Sequence, residues 1–299
     1  MDAILTKGEF FSRIREGTLN FSQKNRALAN FVVQNYQRVA FMTARQLAQR
    51  CEVSESTVMR FVTTLGYRGF PDFLRTLQGI VNQELTAVER LEITPNDKEK
   101  KPRRRGAERL AKKTILTEIQ NLRRLYDHFV EEDFDRAVEE IVKARQIAII
   151  GFRVSASLAI YFGYLLRKVK EMVIILSQSD SMVYDQLGIL EKDCLIIALG
   201  FRRYPNELID VLKYCKSRNL KVLAVTDSIV SPVAALADLI QVAEYEGESF
   251  VDTFAAPVCL INGLIAEAAM KEKKKSLGML DRLEKIAEEK EIYYQESLR

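Results

Sequence analysis

The sequence predicts an α/β protein in two parts: an all-helical N-terminal region, then a three-layer α/β/α region on a parallel sheet. Three observations predict it. Residues 43–66 carry the pattern of two short helices joined by a tight turn. A polar break at 94–106 has no apolar period. Beyond it, five short runs rich in Ile, Val and Leu alternate with helical stretches. The expected boundaries are a helical domain at 1–84, a linker at 85–106 and an α/β domain with flanking helices at 107–299.

In the N-terminal region, residues 21–35 read as a helix, and a further helix runs from Pro71, a residue suited to a first helical position, to Glu84. Between them lies the paired-helix pattern. Thr43 is placed to cap the first helix, and Leu47 and Ala48 supply its inner face. Cys51, Glu52 and Val53 make the turn, with Val53 plugging the angle. Ser54 caps the second helix by accepting an orphan backbone N–H. Val58, Phe61, Val62 and Leu65 follow at helical spacing, and Gly66 ends the helix in the left-handed conformation. This is the plan of a helix-turn-helix, whose second helix enters the major groove of DNA.

The opposite face of that second helix carries Ser56, Arg60 and Thr63, flanked by Thr57, Met59 and Thr64, with Glu55 as its single acid. Hydroxyls, an arginine and a methionine suit phosphates, guanine edges and thymine methyls. Thr43, Arg45, Ser54 and Arg68 complete the candidate DNA-contacting set. The net charge of the chain is only +4, but residues 1–80 hold eleven Arg and Lys against six Asp and Glu, so the excess sits where DNA would lie. A structural helical hairpin with a solvated face is the competing reading; such a face ordinarily mixes Glu with Lys.

The segment 94–106, with its Lys-Lys-Pro-Arg-Arg-Arg run, reads as a mobile linker. Helical pattern resumes at 107–129 and 134–144. Strands are expected at 146–151, 172–176, 194–199, 221–226 and 239–243, and helices at 156–168, 205–218 and 251–271. Continuous apolar strands separated by helices imply a parallel sheet covered on both faces. Ligands of such sheets bind beyond the carboxyl ends of the strands, near a topological switch point. That rule selects three loops, 151–155, 200–204 and 226–231. They offer Arg153 and Ser155; Arg202, Arg203 and Tyr204; and Thr226, Asp227, Ser228 and Ser231. Arginines beside helix starts suit a small anionic ligand. Ser155 and its helix start are expected to hold one anionic group, Arg202 or Arg203 to clamp it or a second one, and Tyr204 to contact the ligand body. Thr226, Asp227 and Ser228 form the far wall, where Asp227 accepts from ligand hydroxyls or holds an arginine. Removing either Arg202 or Arg203 is expected to abolish the ligand's effect while sparing ligand-free DNA affinity.

The residues exclude several classes. Cysteines at 51, 194, 215 and 259 are far apart and the single histidine is His128, so no zinc site and no metal or other cofactor is expected. Free thiols suggest a reducing cytoplasm. No signal peptide is visible, and the longest apolar stretch, 254–269, is broken by Pro257, Asn262 and Glu267, which makes it a buried helix and leaves no membrane partner. Apolar residues at Leu280, Leu283, Ile286 and Ala287 form a C-terminal stripe that needs a partner, either its own domain or a second chain.

The run 53–70, Val-Ser-Glu-Ser-Thr-Val-Met-Arg-Phe-Val-Thr-Thr-Leu-Gly-Tyr-Arg-Gly-Phe, resembles the helix-turn-helix of RpiR-type transcriptional regulators. Residues 129–271 resemble their sugar isomerase (SIS) domain, and 228–238 resemble the family's stretch after the fourth strand. The resemblance implies a dimeric regulator that binds double-stranded DNA and senses a phosphosugar. One loop departs from the family pattern. Where a phosphosugar loop Ser-x-Ser-Gly-x-Thr is usual, this chain has Gly-Phe-Arg-Arg-Tyr-Pro at 200–205, a variant Arg-Tyr loop. The effector is then a sugar phosphate held differently, or another anion such as a sugar acid or organic acid. The alternative function is an isomerase-type enzyme with a helical appendage. Isomerisation needs a placed general base. His128 precedes the sheet, and Glu248, Asp252 and Glu267 are more ordinary as surface or capping acids. No catalytic residue is therefore assigned.

Overall fold

A computed structural model describes residues 7–18, 21–84, 86–94, 109–244, 246–247 and 249–294. The chain divides into two units, Met1–Pro95 and Asn96–Arg299. Most of the predicted linker, including its basic run, lies outside the described residues, as does the C-terminal end of the stripe segment at 295–299.

The first unit is helical. α1 (Lys7–Thr18) was not expected from the sequence, yet Phe10 and Ile14, four residues apart, are fully buried, and Phe10 packs 5.9 Å from Phe73. α2 (Gln23–Val39) begins on Ser22, whose hydroxyl accepts from the Asn25 N–H. The expected end at Asn35 is a kink instead: Asn35 leaves helical geometry and its side-chain amide donates to the Phe31 carbonyl, after which the helix runs one further turn. α3 (Ala44–Arg50) opens with a capping box between Thr43 and Gln46, and α4 (Glu55–Thr64) opens on Ser54. α4 closes in a Schellman motif at Gly66 (φ +88°), with Gly66 N–H on the Thr63 carbonyl and Tyr67 N–H on the Val62 carbonyl. α5 (Phe70–Glu84) follows, and α6 (Ala87–Ile93) turns the first part of the predicted linker into a helix. Its signal is a Thr86–Glu89 capping box.

The second unit starts with α7 (Leu110–Asp127) and α8 (Glu131–Lys143), then alternates: β1 (Gln146–Ile150), α9 (Ser155–Leu166), β2 (Val173–Leu176), α10 (Met182–Gly188), β3 (Cys194–Gly200), α11 (Asn206–Ser217), β4 (Lys221–Thr226), a 3₁₀ turn at Ala234–Leu236, β5 (Leu239–Val242), α12 (Ala255–Lys271) and α13 (Lys273–Glu289). All pairings are parallel and the strand order is β2-β1-β3-β4-β5. Period-two side chains split between two faces. Ile147, Ile149, Leu195, Ile197, Leu199, Leu223 and Val225 pack with α8, α9 and α12. Ala148, Ile150, Ile196, Ala198, Val222 and Ala224 pack with α10 and α11. This is the three-layer fold expected, and α10, too short to show a helical period, is the helix of this layered fold that the sequence did not announce.

Burial governs the thiols. Desolvation pushes Cys194 up to about 11 and Cys215 up to about 12, and it raises Cys51 as well. Since the thiolate is the reactive form, a thiol reagent at neutral pH should modify exposed Cys259 in the native protein and leave Cys194 and Cys215 intact until denaturant is added. Labelling of Cys194 or Cys215 at the rate of Cys259 would contradict this packing.

Candidate functional site

The helical unit presents α4 as its polar face. Val58, Phe61 and Val62 are buried, which leaves Glu55, Ser56, Met59, Arg60, Thr63 and Thr64 exposed, as the 100° spacing predicts. Thr43, Arg45, Ser54 and Arg68 are exposed too. Thr57 departs from expectation. Its side chain is buried, and its hydroxyl is 2.8 Å from Ser54 Oγ, so it belongs to the cap and not to the outer face. Ser54 Oγ also accepts from the Thr57 N–H at 3.2 Å and lies 2.8 Å from Ser56 Oγ. The turn before it is held by Val53 N–H on the Ala48 carbonyl, and Glu52 sits at φ +54°. Removing the cap by Ser54→Ala is expected to lower the unfolding free energy of this unit by about 1 kcal/mol, read as an earlier denaturant midpoint by circular dichroism. An unchanged midpoint would remove the cap from the account.

In the second unit the sequence order reverses between β1 and β3, the two inner strands whose neighbours lie in opposite directions. The carboxyl ends of β1, β3 and β4 are in register, with Ile150 beside Ala198 and Gly200 beside Thr226. The loops selected from the sequence therefore share one edge of the sheet. Glycine is required at two of their roots: a Cβ on Gly151 would stand 2.5 Å from the Ser155 carbonyl oxygen, and one on Gly200 2.5 Å from Val233 Cγ2. Arg153 and Arg203 are both exposed and both held at positive φ, +54° and +62°. Non-glycine residues in that region concentrate at functional loops. Ser155 is buried at the start of α9.

The arginines of the second loop are not equivalent. Arg202 Nε lies 3.2 Å from Asp227 Oδ2, with the side chains 16% and 4% exposed. Tyr204 donates its hydroxyl to Asp227 Oδ1 at 2.7 Å, and Thr226 Oγ1 approaches the same oxygen at 3.3 Å. Asp227 is thus the hub that anchors the β3 loop onto the end of β4, the second of its two expected roles. The hydroxyls of the third loop serve the loop itself. Thr226 and Ser231 bond at 3.0 Å, Ser231 Oγ accepts from the Ala234 N–H, and Ser228 Oγ accepts from the Val230 N–H. Of the candidate polar residues on this edge, Arg153 and Arg203 are the exposed ones. Among the described residues no group of three or more His, Cys, Asp and Glu is placed to hold a metal, and no helix is long and apolar enough to cross a membrane.

Comparison with known proteins matches both units. Residues 9–84 match the helix-turn-helix domain of the rpiR family, and residues 140–266 match the SIS domain. The transcriptional regulator HexR of Pseudomonas aeruginosa is 23% identical over 73% of this chain and 73% of its own. The regulator YbbH of Bacillus subtilis is 20% identical over 86% and 89%. Among solved structures, the sugar isomerase domain of an RpiR transcription factor from Sphaerobacter thermophilus is 26% identical, with a TM-score of 0.58 over 60% of this chain and 99% of that one. Vibrio vulnificus NanR, solved in complex with ManNAc-6P, is 20% identical, with a TM-score of 0.55 over 93% and 98%.

Proposed function

The chain is a helix-turn-helix transcriptional regulator of the rpiR family with a SIS domain, and from that premise we propose how it binds DNA and which residues sense its effector. It is a DNA-binding regulator and not an enzyme, controlled by a small anionic metabolite of the sugar-phosphate kind at the SIS domain. The exposed face of α4 carries the DNA reading. Ser56, Arg60 and Thr63 face the bases, Met59 lies at the margin, and Thr43, Arg45, Ser54 and Arg68 meet the phosphates. Thr57 is left out because it is buried. The supporting observation is a capped helix whose single cation, Arg60, stands on a face with one acid at its edge. Titrating salt against a random-sequence duplex tests it. Affinity should fall steeply as salt rises, since phosphate contacts release counterions; absence of binding at low salt would overturn the reading.

The effector edge is the crevice between β1 and β3. Arg153 and Arg203 supply positive charge, the α9 start at Ser155 supplies backbone N–H groups, and Tyr204 and Arg202 shape the wall that Asp227 holds, with Thr226 and Ser228 behind it. The complex of NanR with ManNAc-6P makes a sugar phosphate the first class to try, and the Arg-Arg-Tyr loop adds sugar acids and organic acids. A ligand of the folded state raises the melting temperature, so a thermal-shift screen of these classes selects among them.

Two half-sites favour a homodimer. Ile115, Ile119 and Tyr126 of α7, Ile160 and Tyr164 of α9, and Leu277, Leu283 and Ile286 of α13 are all exposed. Apolar rows of this kind support an association surface. Light scattering at micromolar concentration should give twice the chain mass, and a monomer with and without DNA would refute it. Such a protein works where the chromosome is, in the cytoplasm.

A further inference from the structure

Asn121 is fully buried in the middle of α7, and its side-chain amide reaches a distant segment as well as the Glu118 carboxylate, 3.3 Å from Nδ2 on the same helix. Its Nδ2 donates to the Glu246 carbonyl at 2.9 Å, and its Oδ1 accepts from the Glu246 N–H at 3.0 Å. A side-chain amide that pairs both backbone groups of one residue fixes that residue as a strand partner would. The pairing is reinforced. Arg124, one turn on, donates to Asn121 Oδ1 at 2.5 Å and meets the Glu246 carboxylate at 3.2 Å. Thr253 donates its hydroxyl to the same Glu246 carbonyl at 3.2 Å and lies 3.4 Å from Asn121 Nδ2.

Glu246 follows the carboxyl end of β5, on the edge where the effector loops lie. Phe254, next to Thr253, packs against Phe201 with ring centroids 5.8 Å apart and the rings tilted by 59°, and Phe201 immediately precedes the Arg202 that Asp227 holds. The contacts run unbroken from the Asp227 hub through Arg202, Phe201, Phe254, Thr253 and Glu246 to Asn121. α7 is the first described helix after the segment that joins the two units, so whatever displaces α7 acts on the end of the chain that leads to the helix-turn-helix. Coupling between sites travels through such contiguous packed and hydrogen-bonded groups when they have two arrangements.

We propose that Asn121 is a positioning residue that transmits the state of the β3 loop to α7. An anion that draws Arg202 away from Asp227 shifts Phe201 against Phe254, and the Asn121–Glu246 pair converts that shift into a change in the hold on α7. This rests on the effector edge proposed above, but its test requires neither effector nor operator.

The test is a double-substitution cycle read by amide hydrogen exchange over residues 110–127 of the full chain. Asp227→Asn removes the carboxylate charge that pairs with Arg202 and stands in for the ligand. It should speed exchange in α7 by about tenfold in the parent protein and by less than about twofold in the Asn121→Ala background, a difference such cycles resolve. Thr253→Val, which keeps Asn121 and removes both hydrogen bonds of the Thr253 hydroxyl, should give an intermediate response and covers the case in which Asn121→Ala fails to fold. A purely structural Asn121 would raise exchange by itself and leave the Asp227→Asn effect unchanged; that result, or no response of α7 to Asp227→Asn, overturns the proposal. DNA affinity of the parent protein, measured alongside on a random duplex, reports separately on the functional reading.

Discussion

Replacing Arg202 by alanine is expected to cost the sheet domain about 3–5 kcal/mol, the usual penalty for leaving one member of a buried ion pair behind. The geometry sets the sign. Asp227 is nearly sealed from solvent, and Arg202 is its cationic partner at 3.2 Å. Without the guanidinium, the carboxylate keeps, among the described residues, hydroxyl partners alone: Tyr204 at 2.7 Å and Thr226 at 3.3 Å. Those two donors place the loss toward the lower end of the range. Urea denaturation followed by circular dichroism measures it. The double substitution Arg202→Ala with Asp227→Ala should recover part of the loss, because the unpaired charge goes with it. Full stability in Arg202→Ala alone would show that the pair is not formed in solution.

The contrast with Arg203 separates scaffold from sensor. Arg203 is exposed, and no described group holds it. Arg203→Ala should change stability by less than about 0.5 kcal/mol while weakening the response to whichever sugar phosphate or sugar acid the thermal-shift screen selects. The two neighbouring arginines, expected from the sequence to act alike, then differ: Arg203→Ala weakens the ligand response alone, whereas Arg202→Ala weakens it and destabilises the loop as well.

That contrast also marks how far the residues alone reach. The five strands are legible because each is a short segment rich in Ile, Val and Leu, and the three central ones are buried almost throughout; the expected and observed limits differ by a residue at most. The helix-turn-helix is legible because its caps, Thr43, Ser54 and Gly66, act within four residues of themselves. Partners distant in sequence are not. Nothing near Arg202 announces that its carboxylate lies 25 residues on at Asp227, and nothing near Asn121 announces Glu246 and Thr253 across 125 and 132 residues. Thr57 was misplaced for a related reason. A hydroxyl next to a cap has two places to go, and here Ser54 turns it inward.

Arg60→Ala carries the largest expected effect on DNA recognition. Of the ten residues of α4, Arg60 is the one cation, and it projects from the exposed row with Ser56 and Thr63. An arginine inserted by a recognition helix pairs its two outer nitrogens with O6 and N7 of guanine, worth about 1–3 kcal/mol of discrimination against the wrong base. Arg60 is exposed, so its loss should leave the fold intact. Competitive gel shifts against duplexes carrying each base at each position of the selected site decide the matter. Arg60→Ala should flatten the preference at one position per half-site by about tenfold or more while leaving the other positions as they were. Arg45→Ala, at the exposed first turn of α3, supplies the comparison: a phosphate contact should weaken every duplex alike and reduce the slope of log affinity against log salt by about one. If Arg60→Ala instead reproduces that uniform loss, Arg60 grips the backbone and base reading falls to Ser56, Met59 and Thr63. If it changes neither affinity nor preference, α4 does not lie in the groove as the exposed face requires.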